Sequence, residues 1–200
     1  MHTAKNWCDN IMGTLLNLEN KSKDTDKARR DLEDMDIRHE LHLHRRNGKL
    51  EKPQACYNLL PKERQGFCEF LSSVKYPDGY AANISRCVNI KDGKISGLKS
   101  HDCHILLQRM LPVGLRGFLS TDVYTLICEV AKFFQDLCSK KLRLEEIEKL
   151  EKNIVMILCK LEMIFPPAFF DIMIHLAVHL PREAKLGGPV QHRWMYPFER

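Results

Sequence analysis

The chain has 200 residues, a formal net charge of +5 at neutral pH and a hydrophobic fraction of 44%. That is enough apolar material for one sizeable core, with no run of about 20 apolar residues to cross a membrane, and a mild basic excess that permits nucleic-acid contact without requiring it. Its eight cysteines include no Cys-x-x-Cys pair and follow no apolar leader, which argues against a zinc ribbon or a disulfide framework and for reduced thiols in a nuclear or cytoplasmic protein.

Trp7, Ile11, Leu15 and Leu18 recur at helical spacing, so residues 3–19 are expected to form an amphipathic helix. The next stretch, to Asp36, is dense in charge; Asp24 or Thr25 could cap a short solvated helix ending near Met35. Ile37 to Lys52 carries His39, His42, His44, Arg45 and Arg46 and reads as an exposed basic linker, since no cysteine or carboxylate completes a ligand set at metal spacing. Pro61 opens a helix whose stripe is Phe67, Phe70, Leu71 and Val74, and Pro77 to Gly79 is a turn. Residues 84–96 hold the one expected extended or hairpin segment, with Asp92-Gly93 as its turn.

Lys99 to Met110 is expected to be helical with Ser100 as cap, broken by Pro112 and by Gly114 to Gly117. Ser120 then caps a helix to about Cys138 with the stripe Val123, Ile127, Val130, Phe134 and Leu137. Leu142 to Phe165 repeats the pattern with Ile147, Leu150, Ile154, Ile157 or Leu158, and Leu161, and places Glu145/Lys149 and Glu148/Lys152 at ion-pair spacing. Pro166-Pro167 suits a helix start, Ala168 to Leu180 is apolar on nearly every side, and Pro181 should end it. The expected fold is mainly α, a helical bundle around that last buried helix.

Two constellations could hold zinc: His101, Cys103 and His104 on one helix, and His175 with His179 at i,i+4 on another. Leu176 stands where a His-Glu-x-x-His metalloprotease has its glutamate, and the bland reading of the pair is core or boundary histidines. No nucleophile elbow or phosphate loop is present, and no small-molecule substrate is evident. Lys185, His192, Arg193, Trp194, Tyr196, Phe198 and Arg200 gather basic and aromatic residues that could meet phosphates and bases, or anchor the segment in a core.

At KSHDCH, LEMIFPPAFFDIMIHL and LPREAKLGGPVQHRWMYPFER the sequence resembles plant transposases of the En/Spm (CACTA) type. More narrowly, it is similar to the plant domain of unknown function that follows their transposase core. Residues 1–52 look like the end of that core plus a basic linker, and residues 53–200 like the helical domain, cut at its C-terminus. The resemblance implies an RNase-H-like parent that cuts DNA with three carboxylates and divalent metal, Mg by preference. Where that family reads Met-His-Ile-Glu-Lys-Asn, this chain has Met1-His2-Thr3-Ala4-Lys5-Asn6, so a family glutamate is Ala4. By analogy Glu199 corresponds to the last catalytic carboxylate, and one carboxylate cannot build a two-metal site. The chain is therefore expected to be a non-catalytic fragment without a cofactor, keeping DNA contact through Arg45, Arg46, Arg193 and Arg200, or protein contact. The alternatives are an interaction module with no DNA role and an active metal-dependent nuclease that would need Asp102 and Asp171 as partners of Glu199. The Trp7–Leu18 stripe, without the sheet of such a core, should dock on the bundle or stay partly exposed.

Overall fold

The computed structural model describes residues 2–46, 48–77 and 79–192. These residues are mainly α-helical with two small antiparallel hairpins. Among them no helix is long and apolar enough to cross a membrane.

Helix α1 (His2–Leu15) buries Trp7, Ile11 and Leu15, and the Trp7 ring meets Phe134 edge-on with centroids 5.5 Å apart. The stripe docks on the bundle, and residues on both sides of position 52 share one core. Helix α2 (Asp26–Asp34) starts at Thr25, whose hydroxyl accepts the Ala28 N–H at 3.2 Å. Its expected solvation is only partial, because Ala28, Arg29 and Leu32 are buried. Arg29 can leave water because Asp24, equally buried, meets its guanidinium.

The basic stretch after α2 is exposed at residues 44–46 and 49–51, as expected, and these residues pair as a hairpin. A 3-10 turn at His39–Leu41 leads into β1 (His44–Arg46), which pairs with β2 (Lys49–Glu51). Helix α3 (Pro61–Ser73) opens on its proline, and the Glu63 carboxylate accepts the Leu60 N–H at 2.6 Å. The second hairpin, β3 (Val88–Asn89) with β4 (Lys94–Ile95), falls inside the expected segment and pairs Val88 with Ile95.

Helix α4 (Ser100–Ile105) is capped by Asp102, which accepts the Lys99 N–H at 3.0 Å, and not by Ser100. It runs on through a π-helical turn, Leu106–Met110, into α5 (Leu111–Gly114), so Pro112 lies in a first helical turn instead of breaking the chain. Proline cannot donate to the carbonyl one turn back. The Gln108 carbonyl is instead taken by the Gln135 side-chain amide of α6 (Thr121–Leu137).

Helix α6 buries Val123, Ile127, Val130, Phe134 and Leu137, and α7 (Leu144–Ile164) buries Ile147, Leu150, Ile154, Ile157 and Leu161. The expected Glu145/Lys149 and Glu148/Lys152 pairs are absent among the described ion pairs. Glu148 reaches Lys185 of α9 (Leu180–Gly187) at 3.3 Å, because α9 lies along α7 and offers its ammonium there. Lys160 crosses to Glu129 of α6 at 2.6 Å. Arg38, in a left-handed conformation with φ of 52°, donates to the carbonyls of Ile164 at 2.9 Å, Phe165 at 2.7 Å and also Glu162. It thereby caps the C-terminus of α7, where carbonyls lack partners and a cation is favoured.

The largest departure from expectation lies at Ala168–Leu180. One buried helix is replaced by a 3-10 turn at Pro167–Phe169, a short α8 (Ile172–His175), a second 3-10 turn and α9, whose first turn holds Pro181. The break has a cause in Asp171. Its carboxylate accepts the N–H groups of Met173 at 3.0 Å and Ile174 at 3.1 Å, which starts a new helix. Asn10 at 2.9 Å and Lys23 at 3.0 Å hold its other oxygen. Phe169, Ile174 and Ala177 face the core, but Ile172 is 74% exposed.

Candidate nucleic-acid interface

Register places His44 opposite Glu51, Arg45 opposite Leu50 and Arg46 opposite Lys49. Side chains alternate faces along a strand, so His44, Arg46, Lys49 and Glu51 share one face and Arg45 and Leu50 the other. All six are exposed. Arg46 and Lys49 are like charges in direct opposition, an arrangement that destabilises a sheet unless an anion lies between them. Neither forms an ion pair among the described residues. A two-stranded ribbon of this kind is narrow enough for the major groove of duplex DNA. The sequence reading reached Arg45 and Arg46 but missed Lys49. The signal for it was local: an Asn-Gly pair, here at 47–48, is the strongest short-range hairpin signal in a sequence, and Gly48 has φ of 75°.

The hairpin is tied at both feet to one buried cation. Arg29 donates to the Leu41 carbonyl before β1 at 2.8 Å and to the Pro53 carbonyl after β2 at 3.3 Å. Its other donors grip both oxygens of Asp24, with the Nη2–Oδ2 contact at 2.8 Å. Asn58 adds a bond to Asp24 Oδ2 at 3.0 Å, and Lys52, just past β2, reaches the Asp24 carbonyl at 2.7 Å. Burial pushes the Asp24 carboxyl upward, but Arg29, Lys52 and Asn58 together hold it below its ordinary value. The same carboxylate raises Arg29 against the burial that opposes its charge.

The proposed zinc residues are arranged differently. Cys103 is fully buried on α4 against Cys8 of α1; a hydrogen bond donated by the Cys8 thiol to Cys103, together with burial, pushes Cys8 well above its usual range. His104 touches the Gln108 amide at 3.2 Å, and burial lowers it to about 4, so its ring is neutral. His101 is half-buried on the same helix. His175 and His179 are exposed, with ring centroids 5.4 Å apart. Among the described residues no three or more His, Cys, Asp or Glu side chains gather into a metal-holding group. Asp102 and Asp171 are both engaged as helix caps. Arg193, Arg200 and Glu199 lie outside the described residues.

Residues 137–200 match a family model, the domain of unknown function DUF4218. That match is consistent with a transposase-associated domain. The DUF4218 stretch begins at the last residue of α6 and takes in α7, α8 and α9, so the hairpin lies before it. No curated protein and no solved structure matches the chain.

Proposed function

We propose that the chain is a transposon-derived helical module, related to En/Spm-type elements, that contacts the DNA backbone without cutting it. The reading rests on the β1–β2 ribbon, which carries Arg45, Arg46 and Lys49 in solvent with two cations opposed across the strands. Phosphate oxygens are the ligand that relieves such a pair, and contacts to them position a protein on a duplex without selecting sequence. The DUF4218 match over residues 137–200 is consistent with a transposase-associated domain and supports a parent activity on DNA. Ala4, at the position of a family glutamate, supports a non-catalytic reading: it is packed into the core at 7% exposure, where a carboxylate could not reach a metal in solvent.

The test is binding of the purified chain to duplex DNA across a salt series. Affinity should fall steeply with salt, and the slope should shrink by about one for each of Arg45, Arg46 and Lys49 changed to Ala. A salt-independent or absent interaction would leave the competing reading, a protein-interaction module, which the exposed apolar residues of α7 favour. Metal-dependent strand cleavage by the chain would overturn both.

A further inference from the structure

Helix α7 has two apolar faces. The inner one packs on α6. On another side Val155 is 47% and Met156 58% exposed, with Ile172 of α8 lining a depression beside Val155 at 74%. Two depressions run along this side. One of about 650 Å³ is lined by Glu148, Lys152 and Val155, and one of about 530 Å³ by Val155, Cys159, Glu162 and Ile172. Val155 lines both, so the two flank it on this side of the helix.

Lys152, Val155, Cys159 and Glu162 follow one another at intervals of three, four and three along this side. That is the a/d spacing of a helix–helix seam. We infer that the outer face of α7 pairs with the same face of a second copy, the two α7 helices running antiparallel. In an antiparallel seam each a position meets a d position of the other helix. The register that sets Val155 against Cys159 of the second copy also sets Lys152 against Glu162 of the second copy. The two-fold axis repeats both contacts, as a closed dimer requires. Neither Lys152 nor the Glu162 carboxylate forms an ion pair among the described residues; only the Glu162 carbonyl is used, by Arg38. The seam thus has an apolar centre and opposite charges at its two ends. A face that is complementary to itself in this way selects another copy over a lipid surface or a nucleic acid, each of which would call for one sign of charge. The pairing stands independently of the DNA reading, since the hairpin lies on a different element.

Sedimentation equilibrium of the full chain tests it. The unmodified protein should be a dimer. Lys152→Glu and Glu162→Lys should each weaken association by roughly tenfold, since each places like charges at both ends of the seam. The double variant should regain the original affinity, because the swapped charges still meet across the axis. Val155→Arg should give a monomer with unchanged helical circular dichroism, the side chain being exposed. A monomer from the unmodified chain at every concentration would overturn the inference. So would a double swap no tighter than the single ones, or a dimer indifferent to Val155→Arg.

Discussion

Residues 20–52 and residues 166–180 solve opposite problems. The first segment is rich in charge and has few apolar side chains, yet it places Asp24 and Arg29 at 0% side-chain exposure. The second is apolar along nearly its whole length, yet it breaks into short helical turns and leaves Ile172 in solvent. The difference is one of hydrogen-bond accounting. A buried charge is tolerated when its donors and acceptors are met. Arg29 meets Asp24, Leu41 and Pro53, and Asp24 meets Asn58 besides. An apolar run stays one helix only if no side chain offers its backbone a better partner, and Asp171 does offer one. Hydrophobicity decides which segments approach the core. Polar partners decide how they lie there.

The comparison breaks most sharply at Arg29. Arg29→Ala would strand the Asp24 carboxylate and free both feet of the hairpin, and should cost about 3–5 kcal/mol in chemical denaturation. A smaller loss would mean that the charged segment is held by Leu32 and Ala28 alone. Acid should act on the same pair. A carboxyl held below its ordinary value in the folded state contributes stability that is complete above the unfolded value and is lost as pH falls through the folded one. For Asp24 the ordinary value is 3.8, so this loss belongs to the range below it. Asp24→Asn, less stable at neutral pH, should lose less than the unmodified chain across that range. In the apolar segment, Asp171→Ala removes a cap and the tie to Lys23 and Asn10 and should cost about 1–2 kcal/mol. Ile172→Ser, at an exposed position, should change the stability of the dilute monomer by less than about 0.5 kcal/mol. If it proves costly, the segment is more buried in solution than its exposure implies.

The helices that follow local periodicity were legible in the sequence. Trp7 to Leu15, the Phe67–Leu71 stripe and the buried rows of α6 and α7 need only their own spacing, and the Thr25 cap needs only its neighbours. The departures depend on distant partners. The π-helical turn before Pro112 is accommodated because Gln135, on another helix, serves the Gln108 carbonyl. The break at Asp171 is fixed by Asn10 and Lys23 from the other end of the chain. In the candidate interface, charge alone marked Arg45 and Arg46, whereas Lys49 joins them only through strand register. The Asn47-Gly48 signal was present but masked by a composition that reads as linker.

The Asn10–Asp171 bond spans 161 residues and the Lys23–Asp171 bond 148. On a ribosome, α1 emerges well over a hundred residues before its latch, so during synthesis Trp7, Ile11 and Leu15 wait without a complete surface to pack on. Contacts of such sequence separation slow folding and expose apolar surface while the chain waits. Helix α1 therefore has most to gain from a chaperone in that interval, although in the finished fold Trp7 and Ile11 are fully buried.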